Sequence, residues 1–266
     1  MKNCDVNRNK ENNVDIEKNL PNNKSGFCLV EDIFKKGNEY YDKEEYDDAI
    51  KKYEEVLKLK CEDELKVKIY ENLGNLYYNK GEYDEAIKKY EKVLNLEGKE
   101  EKKSEIYNKI GNSYYYKKEY EEAIKKYEEA LKLKCTGELR AIIYNNKGNS
   151  YYYKGKYEEA TKEYEEALRL EDNEEKKAEI YNNKGNSYYY KGKYEEAIRE
   201  YEEALKLKCT DELKAIVYNN KGNSYYYKGE YEEAVAEYKE ALKLEDKEEK
   251  RAEIYNYISD AYFSKG

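Results

Sequence analysis

The sequence predicts an all-α solenoid of stacked antiparallel helix pairs, and three observations predict it. A Gly-Asn pair returns at a constant step of 37 residues, at Gly37, Gly74, Gly111, Gly148, Gly185 and Gly222. A fixed period of this length marks a repeat array, in which each unit buries its apolar face only against its neighbours. Within a copy the apolar residues keep helical period, with Tyr157, Ala160, Tyr164, Ala167 and Leu168 on one face. Finally, the 266 residues include a single proline, Pro21, so no proline breaks a helix in the repeats.

Taken in order, residues 1–26 are rich in asparagine and lysine and show no periodic apolar face, which predicts a disordered tail. Phe27, Leu29, Val30, Ile33 and Phe34 then open the first helix. Each repeat reads as two helices. In the fourth, the first runs from about Glu138 to Lys154 and is ended by Gly155, because glycine accepts the left-handed conformation of a C-cap. Gly81, Gly192, Gly229 and Gly266 stand at the same place. The second runs from about Lys156 to Leu170 and turns Glu158, Glu159, Lys162, Glu163, Glu165 and Glu166 outward.

The linkers between repeats alternate between an LKLKCTGELRA type and an LEDNEEKKAEI type, so a pair of repeats is the larger unit. In the second type, Asp172 with Glu175 and Asp246 with Glu249 have capping-box spacing with aspartate as the cap. A last helix, from about Glu249 to Lys265, is expected to cap the array, with the polar pair Ser259 and Asp260 in place of Gly-Asn.

Composition excludes several function classes. The net charge is -9, with 51 basic and 60 acidic residues closely mixed. No basic block is present to displace counterions, which argues against a nucleic-acid partner. No apolar run reaches the length of a membrane helix, and no signal core opens the chain, so no membrane partner is expected. Cys61, Cys135 and Cys209 recur at equivalent positions two repeats apart, too distant in a stack for a disulfide. Reduced thiols in a cytoplasmic protein are the reading that follows. With no histidine and no C-x-x-C, no metal site is expected. Neither a phosphate loop nor a nucleophile with a base is present, so no catalytic residue and no cofactor are assigned.

The repeats resemble the tetratricopeptide repeat family over about residues 27–266. The resemblance rests on Tyr144, Gly148, Tyr151, Ala160, Tyr164 and Ala167 in the fourth repeat. The fifth supplies Tyr181, Gly185, Tyr188, Ala197, Tyr201 and Ala204, and the sixth Tyr218, Gly222, Tyr225, Ala234, Tyr238 and Ala241. Gly148 and Ala160 are small where helices approach, and Tyr144, Tyr151, Tyr157 and Tyr164 are expected in the core. The resemblance implies a right-handed superhelix of six helix pairs with one closing helix. Three residues beyond the family's usual 34 precede each first helix, as Glu138, Leu139 and Arg140 do in the fourth, and should lengthen it by nearly one turn. Lys36, Lys147, Lys184 and Lys221 replace the family's leucine, and are expected to snorkel at some loss of packing.

The resemblance also implies a function. First helices of the family line a concave groove, and the matching positions here are Asn145, Asn146, Asn149, Tyr152 and Tyr153 in the fourth repeat. The fifth supplies Asn182, Asn183, Asn186, Tyr189 and Tyr190, and the sixth Asn219, Asn220, Asn223, Tyr226 and Tyr227. An amide both donates and accepts, and tyrosine offers rigid amphipathic area, so this face suits an extended, mostly neutral peptide. None of Asn149, Asn186 and Asn223 is demanded by the family's packing positions. The expected function is therefore a scaffold that binds an extended segment of another protein. The alternative is a co-chaperone-type adaptor clamping an acidic C-terminal tail. That clamp wants lysine where this chain has Phe34, Glu71, Asn108, Asn145, Asn182 and Asn219. The sequence identifies no partner and sets no oligomeric state.

Overall fold

A computed structural model describes residues 26–265; residues 1–25 of the tail predicted at 1–26 lie outside the described residues, as does Gly266, and Gly26 already belongs to the first helix. The described chain forms thirteen α-helices. In order they are α1 (Gly26–Asp42), α2 (Tyr46–Leu57), α3 (Asp63–Asn79), α4 (Tyr83–Leu96), α5 (Glu100–Tyr116), α6 (Tyr120–Lys132) and α7 (Gly137–Tyr153). There follow α8 (Tyr157–Leu170), α9 (Glu174–Tyr190), α10 (Tyr194–Lys206), α11 (Asp211–Lys228), α12 (Tyr231–Leu244) and α13 (Glu248–Lys265). Consecutive helices pack on one another throughout, and the first helices of successive repeats also touch, as α5 does α7, α7 does α9 and α9 does α11. This is the α-solenoid expected from the period.

Each repeat has its own core, closed by the next repeat. Ala160, Tyr164 and Ala167 of α8 pack with Ile180 of α9, and Ile106, Ile143, Val217 and Ile254 close the cores of other repeats in the same way. A repeat alone would leave that face open, which is why the array is continuous. The tyrosines Tyr53, Tyr90, Tyr127, Tyr164, Tyr201 and Tyr238 are the largest fully buried side chains. Gly148 explains how a ring that size fits: a Cβ there would stand 2.7 Å from Cε1 of Tyr164. Tyr144, Tyr151 and Tyr157 are only half-buried, so the core expectation holds in full for Tyr164 alone.

Helix ends depart from expectation in detail. α7 starts at Gly137 and takes in the added Glu138, Leu139 and Arg140, as predicted. The left-handed residue after the first helix is Gly155 in the fourth repeat, but Glu44 and Lys118 adopt positive φ at the equivalent points, so glycine is favoured there rather than required. The cap of α9 is Asn173, not Asp172: its side chain accepts from the Lys176 amide at 3.0 Å, and Asp172 lies one residue outside. The residue before α13 is Lys247, so Asp246 is likewise displaced. Glu171 takes over the preceding turn, accepting from the amides of Asp172 and Asn173.

Three of the four replaced leucines are also resolved differently, while Lys36 is exposed as expected. Lys147 does not snorkel into water; its side chain is only 11% exposed and its ammonium lies 3.3 Å from Glu128 and 3.2 Å from Glu163. Lys184 sits between Glu165 and Glu200, and Lys221 between Glu202 and Glu237, in the same way. Burial lowers the Lys147 pKa, but Glu163 and Glu128 outweigh it and hold the ammonium above its ordinary value. Glu163 is also pushed up, because burial outweighs the attraction of Lys147. At these three positions a buried charge stands in place of leucine because two carboxylates, one from each flanking second helix, accompany it.

Candidate functional site

The face formed by the first helices carries the Tyr-Asn-Asn-Lys-Gly-Asn-Ser-Tyr-Tyr-Tyr segment in the fourth, fifth and sixth repeats and looser copies in the first three, and most of its asparagines are occupied. Asn149 Oδ1 accepts the hydroxyl of the buried Tyr164 at 2.7 Å. The same bond joins Tyr201 to Asn186 and Tyr238 to Asn223 at 2.7 Å, and is present in the first three repeats between Tyr53 and Asn38, Tyr90 and Asn75, and Tyr127 and Asn112. Burial drives the Tyr164 pKa well above its usual value, so the phenol remains a donor. The Gly-Asn pair thus serves one ring twice: glycine admits its face, and asparagine satisfies its hydroxyl. The expectation that packing makes no demand on these asparagines is overturned.

The other asparagines join neighbouring repeats. Asn146 Nδ2 donates back to Asn108 and Asn112, both at 3.1 Å. Asn183 donates to Asn149 at 3.4 Å, and Asn220 to Asn182 at 2.9 Å. At the junction of the second and third repeats an ion pair replaces the rung: Lys109 reaches Glu71 at 2.7 Å and Asn75 at 3.2 Å, and Lys102 also holds Glu71. Burial raises the Glu71 pKa, but the two lysines outweigh it and leave the carboxyl below its usual value. Asn145 and Asn219 have buried amide oxygens without a donor. For Asn219 the reason is visible in the sequence: the position that supplies the donor in earlier repeats is Tyr257 in α13.

The tyrosines form a second ladder. Tyr152 packs edge-on against Tyr153, Tyr157 and Tyr190 at ring separations of 5.1–5.6 Å. Tyr153 stacks on Tyr120 of the preceding repeat at 5.8 Å, Tyr190 on Tyr157 at 5.7 Å and Tyr227 on Tyr194 at 6.0 Å. Tyr116 on Tyr83 extends the series. Tyr189 occupies the place of Tyr152 one repeat on, and Tyr226 reaches Ser264 at 3.1 Å, where the next tyrosine of the series would stand. One member of each rung is open to solvent: Tyr116, Tyr153, Tyr190 and Tyr227 are 55–59% exposed. Both ladders meet in a recess of about 180 Å³ lined by Asn149, Asn183, Asn186, Tyr115, Tyr152 and Tyr153.

The comparisons with known proteins agree with this architecture. A family model described as tetratricopeptide repeat matches residues 65–136 and 139–210. A second of that description matches 182–244 and 219–266, and a TPR repeat model matches 37–81. The chain belongs to the tetratricopeptide repeat family. Its members serve as protein–protein interaction scaffolds. Among solved structures, it is similar to MamA protein, at 26% identity and a TM-score of 0.56, covering 71% of this chain and 94% of that one. The C-terminal part of a TPR repeat-containing protein from Cytophaga hutchinsonii shares the fold at 20% identity and a TM-score of 0.63, covering 79% and 78%. So does YrrB, described as a TPR protein with an unusual peptide-binding site, at 22% identity and a TM-score of 0.52, covering 66% and 85%. No curated protein sequence matches the chain.

Among the described residues, no cluster of metal-ligating side chains is present and no helix is long and apolar enough to cross a membrane. Cys61, Cys135 and Cys209 are free and half-buried. Sequence reasoning found the residues of this face. It missed the partners Tyr83, Tyr120 and Tyr194, which stack under the exposed rings, and the 37-residue recurrence of both tyrosine sets was the signal that could have paired them.

Proposed function

We propose that the protein is an interaction scaffold whose first-helix face binds an extended segment of another protein along the tyrosine and asparagine ladders. The observation that carries this reading is the row of exposed rings at Tyr116, Tyr153, Tyr190 and Tyr227. Exposed aromatic rings held rigid by neighbours are good contact surface, because little side-chain entropy remains to be lost on binding. Tyr153, Tyr190 and Tyr227 are already immobilised by stacking. In this reading Asn145, Asn146, Asn182, Asn183, Asn219 and Asn220 shape the floor of the groove. Free thiols at Cys61, Cys135 and Cys209 suit a reducing cytoplasmic setting. A clamp for an acidic tail is less well supported, since Lys109 and Lys102 on this face are both bound to Glu71.

The test replaces Tyr153, Tyr190 and Tyr227 with alanine together and compares partner capture from cell extract with that of the native chain. Loss of a captured partner, with helical circular dichroism unchanged, is the expected result. Charge reversal of Glu166 and Glu203 on the outer helices should leave capture intact. The opposite pattern would move the site to the outer face. Replacing Asn149, Asn186 and Asn223 is a poor test, because it would strand three buried phenols.

A further inference from the structure

Resting on that groove reading, we infer that the segment it takes is proline-rich and bound as a polyproline II helix, one turn per repeat. Three observations lead there. The first is pitch. Tyr116 lies 5.3 Å from Tyr115, which lies 5.7 Å from Tyr153, so the two exposed rings are at most 11.0 Å apart. By the same route, Tyr153 lies 5.1 Å from Tyr152 and that ring 5.6 Å from Tyr190, which bounds the next interval at 10.7 Å. A polyproline II helix has three residues per turn and a turn of about 9.3 Å. Both ceilings admit that turn, so successive exposed rings can each meet a proline on the same side of the segment.

The second is hydrogen-bonding capacity. An ordinary extended peptide presents an N–H at almost every residue and needs acceptors for them. Here six of the nine amide oxygens in the fourth to sixth repeats are committed or sealed. Asn149, Asn186 and Asn223 accept from core phenols, and Asn182 accepts from Asn220. The amide oxygens of Asn145 and Asn219 have no donor but are closed off from solvent. Proline has no N–H, and its carbonyl accepts well, so it asks of this face what phenol hydroxyls supply.

The third is charge. Beside each rung a lysine bridges to an acid of the preceding repeat: Lys117 to Asp84 at 2.6 Å, Lys154 to Glu121, Lys191 to Glu158 at 3.5 Å and Lys228 to Glu195 at 3.2 Å. The rim is compensated at every junction, and a neutral segment matches it. Neutral saccharides also stack on aromatic rings, but their hydroxyl donors meet the same shortage of acceptors.

The experiment titrates the full chain into a fluorescein-labelled oligoproline of about twelve residues, which spans about 37 Å as polyproline II. A Gly-Ser peptide of equal length, a neutral peptide without proline and a neutral β-glucan oligomer are run beside it. Saturable oligoproline binding, unaltered between about 50 and 500 mM salt, is expected. It should weaken about tenfold or more in the Tyr153→Ala, Tyr190→Ala, Tyr227→Ala variant, with the circular dichroism unchanged. The corresponding phenylalanine variant should retain some of the affinity, because the rings remain. If the non-proline peptide or the glucan binds in a tyrosine-dependent manner and oligoproline does not, the proline assignment falls. In the peptide case the groove reading survives. Oligoproline binding untouched by the alanine substitutions would overturn both, and absence of any oligoproline binding overturns the assignment.

Discussion

Gly148→Ala isolates the contact on which each repeat is built. The added Cβ would lie 2.7, 2.8 and 3.1 Å from Cε1, Cδ1 and Cζ of Tyr164. Carbon atoms in favourable contact stand about 3.5–4.0 Å apart, so three ring atoms must yield together. The ring has no room to do so. It is 1% exposed, packed by Ala160, Ala167 and Ile180, and tied by its hydroxyl to Asn149. Overpacking of this kind costs about 1–3 kcal/mol, and the tied ring places this site near the upper end. Against it stands the gain of alanine over glycine within a helix, about 1 kcal/mol. The net is a destabilisation of about 2 kcal/mol, or roughly 30-fold in local opening. Amide hydrogen exchange should show it as lost protection in α7 and α8 first, since each repeat is supported only by its neighbours. In a Tyr164→Leu background the shorter side chain makes room, and Gly148→Ala should then stabilise by about 1 kcal/mol. An equal loss in both backgrounds would refute the ring contact as the cause.

Asn182→Ala removes the acceptor of Asn220 and should cost about 1 kcal/mol in urea unfolding, whereas Asn145→Ala deletes a buried oxygen with no donor and should cost less. Lys147→Ala leaves Glu163 half-buried without its cation and should lower the urea midpoint; Lys147→Leu together with Glu163→Leu should restore most of the loss, since apolar replacement of a whole buried pair is often neutral. Acidification should open the second and third repeats first. The depressed Glu71 pKa favours the fold above the unfolded carboxylate value and loses that contribution as pH falls through the folded value, while Glu163 and Glu200, both raised, bind protons more readily when folded and oppose acid unfolding. Hydrogen exchange in the acid range would check the order, and Glu71→Gln should remove the early opening.

The repeat and the helix pairs were legible in the chain because they depend on local periodicity. Gly148, Ala160 and Tyr164 announce close packing wherever they recur at this spacing. The roles of Asn149 and Lys147 were not legible, because each is decided by a side chain many positions away. Asn149 is 15 residues from Tyr164 and 34 from Asn183. Lys147 is 19 residues from Glu128 and 16 from Glu163, on two different helices. Asn173 took the cap from Asp172 for a smaller reason: two capping residues stood side by side, and only the backbone could choose between them.

By itself the sequence determined that the chain is helical, that its unit is 37 residues long, and that tyrosine and asparagine share the first helix of each later repeat. These follow from the order of residues along one or two turns of helix. Tertiary structure alone decided which of them are free. Pairing the two helices of a repeat commits Asn149 and its equivalents to a buried ring, and stacking the repeats joins other asparagines across them and leaves one exposed tyrosine on each of the four rungs from Tyr116 to Tyr227. Which polar group is satisfied depends on distances between helices, within a repeat for Asn149 and across repeats for Asn182, and the order of residues along one helix does not set those.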